Sequence, residues 1–235
     1  MNPFSPRLKM DATIEHLKGK KRILFLTTSN RWAGEKGGEK PKSTKLAEAI
    51  AQHVGNDRVT IIDATKLKIY PCEGNVSTER GNTCGEKKAA LKDDEKNPSG
   101  CHRCWASLNN PDDELWQISK PLLESDAVVF FGSIRWGQMN AYYQKLIERL
   151  TWLENRHSTL GEENLLKDID AGIIAIGQNW NGDDVVRTQK QVLDFFGFKT
   201  PEELSWHWSY SHDAADERPE SYQEAVTAFE KAFLT

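Results

Sequence analysis

Long hydrophobic runs are what this sequence most clearly lacks. No stretch approaches the ~18 consecutive apolar residues of a membrane-spanning helix. The start, Met1 to Lys21, is polar and charged, without the apolar segment of a secretory signal. Positive charge is not in excess either: 31 Lys and Arg stand against 35 Asp and Glu, a formal net charge of -4, and the signs alternate rather than form a basic stripe. A nucleic-acid or anionic-membrane partner is therefore not expected, and a soluble cytoplasmic protein is. Cysteine is sparse, at four in 235 residues, and a chain of this length can bury a core without covalent staples. No G-x-G-x-x-G follows the first apolar run, and no Walker lysine motif occurs. Both absences argue against a tightly held NAD or ATP. The six histidines are scattered without ligand spacing, and no metal site is assigned to them.

What is present is an alternation of short apolar runs with amphipathic stretches. The periodicity predicts strands at 22–28, 58–63, 126–132, 171–177 and 204–210. Helices are predicted at 43–54, 112–123, 138–154, 183–196 and 220–233, the first and fourth closed by Gly55 and Gly197. Residues 1–20 read as a loosely held N-terminal arm with a short helix near 12–17, leaving 21–235 as one domain. Residues 66–110 break the rhythm as a long irregular insertion that holds all four cysteines. The expected fold is α/β: a doubly wound, five-stranded parallel sheet of order 2-1-3-4-5 with helices on both faces.

In that order the loops after the first, third and fourth strands meet at one sheet edge, where ligands bind. The first loop offers Ser29, Arg31, Ser43 and Thr44, hydroxyls that lead into a helix N-terminus. They suit a phosphate, or they simply cap the helix. The second offers Ser133, Ile134, Arg135, Trp136, Gly137 and Met139; the third offers Gly177, Gln178, Asn179 and Trp180. These two sets suit a flat ring with polar edges, which backbone N–H groups of glycine-bearing loops can approach and which Trp136 and Trp180 can flank. Arg135 is either a cation for the ligand or half of a surface ion pair. Trp206-His207-Trp208-Ser209-Tyr210 is a further aromatic concentration, suited to core packing, to a pocket wall or to an oligomer contact.

Thr28-Ser29-Asn30-Arg31, then Ser43-Thr44-Lys45-Leu46-Ala47, resembles the first phosphate loop of the flavodoxin-like NAD(P)H-dependent FMN reductases, G-S-x-R-x-x-S-x-x-L, with an insertion between Arg31 and Ser43. Pro71-Cys72 resembles that family's P-C. Ser125-Asp126-Ala127-Val128-Val129-Phe130 and Gly132-Ser133-Ile134-Arg135-Trp136-Gly137 are similar to its A-D-G-I-V and T-P-x-x-W-G, with Ser133 where proline is usual. The likeness runs over about residues 22–200. It implies FMN as cofactor, NAD(P)H as hydride donor, and a small-molecule electron acceptor such as a quinone, flavin, nitro or azo compound. It also implies a homodimer or homotetramer whose subunits complete the flavin pocket. No catalytic acid or base is assigned, because the hydride chemistry belongs to the flavin.

The iron–sulfur flavoproteins, related to that family, carry a compact cysteine cluster in the same loop. Here Cys72, Cys84, Cys101 and Cys104 are separated by eleven, sixteen and two residues, and only Cys101-His102-Arg103-Cys104 is a C-x-x-C. An electron carrier with an iron–sulfur cluster is the alternative expectation. A redox pair or plain structural thiols are the others.

Overall fold

A computed structural model describes residues 5–30, 38–177, 180–211 and 218–235. In chain order the elements are α1 (Pro6–Lys18), β1 (Ile23–Thr27), α2 (Lys42–Val54), β2 (Val59–Asp63), α3 (Trp105–Asn109), α4 (Trp116–Glu124), β3 (Ala127–Arg135) and β4 (Gln138–Met139). They continue with α5 (Ala141–Ser158), β5 (Asp170–Gly177), α6 (Gly182–Phe195), β6 (Trp206–Ser209) and α7 (Ser221–Phe233). Five strands pair in parallel in the order β2-β1-β3-β5-β6, the expected doubly wound arrangement. Among the described residues no helix is long and apolar enough to cross a membrane.

The central strands are continuous apolar runs because both of their faces are covered. Alternate residues divide between two cores. Leu24, Leu26, Val128, Phe130 and Ile173 pack against α4, α5 and α6. Ile23, Phe25, Val129, Phe131 and Ile174 pack against α1, α2 and α7. Gly172 in β5 has a specific reason: a Cβ there would lie 2.2 Å from the Leu204 carbonyl oxygen. Gly172→Ala is therefore expected to cost about 1–3 kcal/mol through overpacking against backbone. Urea denaturation reads the cost, and an unchanged midpoint would mean that the 202–204 turn can retreat.

Two expectations are corrected. The described part of the arm is not loosely held: α1 spans Pro6–Lys18 and buries Met10, Thr13, Ile14 and Leu17. Thr13 interrupts the apolar stripe in sequence, yet its hydroxyl donates to the Glu203 carbonyl at 2.6 Å and accepts from Trp206 Nε1 at 2.9 Å. His16 and Lys20 both reach the buried Asp170 carboxylate, at 2.7 and 2.6 Å. The third strand does not stop at 132 either. It runs on to Arg135 and folds back as a hairpin onto β4, pairing Ile134 with Met139 and Arg135 with Gln138. The turn residues Trp136 and Gly137 have φ of 51° and 69°, the positive values that a two-residue type I′ turn demands at both positions.

The 66–110 segment is irregular but packed. Ile69, Cys84, Cys104 and Ala106 are buried in the core on the α5 side, and Ala89 is buried as well. Its principal anchor is an ion pair from which water is excluded. Arg149 of α5 grips Asp113 in a fork, Nη1 to Oδ1 at 2.8 Å and Nη2 to Oδ2 at 3.0 Å, with both side chains 0% exposed. Arg149 also donates to the Tyr70 carbonyl at 2.6 Å and to Ser107 Oγ at 2.8 Å, and Ser107 donates to Asp113 at 2.8 Å.

Candidate functional site

The carboxyl ends of β1, β3, β5 and β6 surround a cavity of about 90 Å³. Of the residues expected from the sequence, Ser29, Ser43, Ser133, Ile134, Arg135 and Gly177 line it together. Ser43 Oγ donates to Ser29 Oγ at 2.7 Å, and both residues are buried. Among the described residues the hydroxyls do not cap α2: its N-cap is Pro41, which makes no side-chain cap hydrogen bond. The first turn also holds no acidic residue, and its first residue, Lys42, lines the cavity. The start of a helix, two hydroxyls and an ammonium make a setting for an anion.

The loops around the cavity are held in register by Asn140. Its Nδ2 donates to Thr28 Oγ1 at 3.1 Å and lies 3.4 Å from Ser133 Oγ, while its Oδ1 accepts from the Tyr143 amide at 3.2 Å and so caps α5. Thr28 in turn binds the Phe131 carbonyl through its amide, at 2.9 Å. One asparagine thus ties the end of β1, the end of β3 and the start of α5 into a unit.

Other expected residues fall elsewhere. Thr44 is half-buried outside the cavity, and Met139 packs into the core. Trp136 does not line the cavity; it stands at the hairpin tip, 92% exposed. Trp180 lies against that tip, its ring 2.7 Å from where a Cβ on Gly137 would sit, and Asn181 Nδ2 donates to the Gly137 carbonyl at 2.7 Å. The two tryptophans therefore mark the hairpin's outer end rather than its inner wall. Arg31, Gln178 and Asn179 lie outside the described residues. The cavity also takes in Asn30, Pro41, Lys42, Ile176, Trp208, Tyr222 and Ala225. Trp208 serves both of its readings, since it packs on Phe229 and Phe233 while lining the cavity. Tyr222 and Ala225 come from α7, and no local motif ties them to Ser29 and Ser43, which lie far earlier in the chain.

The cysteines form a separate region. Cys84 and Cys104 are buried, Cys72 and Cys101 half-buried, all as free thiols. Trp105 Nε1 donates to the Thr83 carbonyl at 2.9 Å, which draws Cys84 and Cys104 together. Burial, followed by the nearby Cys104 and Cys72, pushes the Cys84 thiol up to about 12, so it stays protonated and inert near neutrality. Burial likewise holds His102 down at about 4, a neutral ring whose Nδ1 meets Ser119 Oγ at 2.5 Å. Among the described residues no group of three or more His, Cys, Asp or Glu side chains is placed to share a metal ion.

No family model matches the chain, and no curated protein is similar to it. Solved structures are similar. RosB with a bound intermediate, 8-demethyl-8-formylriboflavin-5'-phosphate, superposes with a TM-score of 0.59 at 14% identity, over 90% of this chain and 74% of RosB. Azoreductase AzrA gives 0.54 at 18% identity, over 90% of this chain and 97% of its own. The azoreductase from Bacillus anthracis str. Sterne gives 0.50 at 18% identity, over 91% and 97%. Strand order, two-sided helix packing and these superpositions agree: the chain has the flavodoxin-like α/β fold.

Proposed function

We propose that the protein is a cytoplasmic FMN-dependent oxidoreductase that takes hydride from NAD(P)H and passes electrons to a small acceptor such as a quinone, flavin or azo compound. The observation that carries this reading is the convergence of the Ser29–Ser43 hydroxyl pair, the N-terminus of α2 and the Lys42 ammonium at the sheet's carboxyl edge. Such a donor set matches a phosphate monoester. Ile134, Ile176 and Trp208 continue the cavity as apolar surface beside Arg135, which suits a ring with polar edges. The residues present therefore fit FMN. The riboflavin 5'-phosphate derivative held by RosB, and the azoreductases of the same fold, support the same reading.

When bound, FMN supplies the hydride-accepting and electron-passing chemistry. The chain's own part is binding and placement. Ser29, Ser43 and the α2 amides hold the phosphate, and Asn140 keeps the β1 and β3 loops at a fixed separation. Arg135, exposed at the end of β3, offers positive charge to the phosphates of an incoming nicotinamide cofactor. The proposal includes a homodimer or homotetramer, supported by the 92% exposure of Trp136 beside the site.

An absorption spectrum of the purified protein, before and after anaerobic NADPH, tests the reading. Flavin bands that bleach are expected, either as purified or after incubation with FMN. A protein that stays colourless after that incubation overturns it, and a broad shoulder that persists beside bleached flavin bands would add a cluster.

A further inference from the structure

We propose that Lys42 and Tyr222 set the flavin specificity of this site, selecting the 5'-phosphorylated mononucleotide over both riboflavin and FAD, an assignment that presupposes the FMN site proposed above. Lys42 opens α2, and its Nζ lies 5.0 Å from the centroid of the Tyr222 ring. Both side chains line the cavity that holds Ser29 and Ser43. The Tyr222 hydroxyl donates to Glu39 Oε2 at 3.2 Å, which fixes the ring from its far end. Behind the ring, α7 is anchored to α2. Lys45 Nζ meets Glu230 Oε1 at 3.2 Å, and Ser221, Ala225, Phe229 and Phe233 are buried.

Two consequences follow from this arrangement. The first concerns charge. An ammonium is attracted to the aromatic face beneath it, and its place in the cavity suits the site to an anion. Riboflavin brings none, so the hydroxyl pair, the α2 amides and Lys42 would face a neutral hydroxyl. The second concerns length. FAD continues beyond the first phosphate with a second phosphate and an adenosine. Tyr222 and Ala225 line the cavity with Lys42, whose Nζ lies beside the Tyr222 ring, so an adenylate continuing from a phosphate held at Lys42 has to displace an anchored helix or turn back into solvent. The α7 helix thus acts as an end-stop, and Lys42 as the charge that rewards a ligand ending in phosphate.

Titration of the apoprotein with riboflavin, FMN and FAD, followed by quenching of flavin fluorescence, tests this without recourse to turnover. Wild-type protein is expected to bind FMN the most tightly of the three. Lys42→Met is expected to weaken FMN about ten- to a hundred-fold, the scale of one charge-assisted phosphate contact, and to leave riboflavin unchanged. Tyr222→Ala is expected to weaken FMN and to narrow the preference for FMN over FAD about ten-fold, whereas Tyr222→Phe keeps the ring and behaves as wild type. Both side chains are partly exposed, so neither replacement empties the core. If FMN binds to Lys42→Met as tightly as to wild type, the role of Lys42 is overturned while the FMN site stands. If Tyr222→Ala leaves the FAD preference unmoved, the end-stop is overturned. A protein that binds none of the three flavins overturns the flavin site itself.

Discussion

Replacing Asp113 with Ala is expected to cost about 3–5 kcal/mol of stability, a large fraction of what a domain of this kind possesses. The magnitude comes from what is left behind rather than from what is removed. Arg149 keeps its charge under all ordinary conditions, and with both side chains 0% exposed no water can take the carboxylate's place. The backbone amides of Tyr70 and Leu115, which donate to Asp113 at 3.1 and 3.2 Å, lose their acceptor as well. Urea denaturation of wild type and variant measures the loss. Replacing both partners together, Asp113→Leu with Arg149→Met, is expected to cost clearly less, because no buried charge is then stranded. The pH dependence has a definite sign. Burial works to raise the Asp113 carboxyl, but the Arg149 guanidinium outweighs it and holds the group below the usual carboxylate range. A depressed folded-state value stabilises the fold above the unfolded value and loses that contribution as pH falls through the folded one. The gap between wild type and Asp113→Ala should therefore be full near neutrality and narrow below about pH 4. A gap that stays constant into strong acid would show that the pair is not what Asp113 contributes.

The double variant Ser29→Ala, Ser43→Ala is expected to bind FMN at least about a hundred-fold more weakly, since each hydroxyl lost from a phosphate dianion forfeits a charge-assisted hydrogen bond. Its folding should barely change. The two hydroxyls are each other's partners at 2.7 Å, and removing both at once leaves no buried donor or acceptor stranded. Ser29→Ala alone is different, because it strands the Ser43 hydroxyl and should lower stability as well as affinity. Fluorescence titration and urea denaturation on the same three proteins separate the effects. Unaltered FMN affinity in the double variant would remove the pair from the phosphate site.

The sheet was legible in the sequence because strands buried on both faces must be apolar throughout, as 127–131 and 171–177 are. Glycine and helical period then placed the crossovers between them. What escaped depended on pairings that local pattern does not encode. Thr13 reads as a break in an amphipathic stripe, and only its contacts with Glu203 and Trp206 make it a core residue. Ser133-Ile134-Arg135 between two glycines reads as a loop, yet Met139 and Gln138 give it a partner strand. Arg149 and Asp113 each look like solvated charges, because their mutual burial is a tertiary fact. The cavity divides the same way. Serines near a helix start announce themselves, whereas Tyr222 reaches them only because α7 lies beside α2.

That placement has a bearing on synthesis. The sheet face covered by α1, α2 and α7 joins helices far apart in sequence, so α7, made well after α1 and α2, closes a core that they begin. Until Ser221–Phe233 is made, Trp206 and Trp208 lack the Phe229 and Phe233 rings that pack on them, and an incomplete chain exposes a sticky apolar face. The same late helix supplies Tyr222 to the cavity. Chains cut short before Ser221 should thus be sequestered by chaperones, and the site should become competent for its ligand only once α7 has been made.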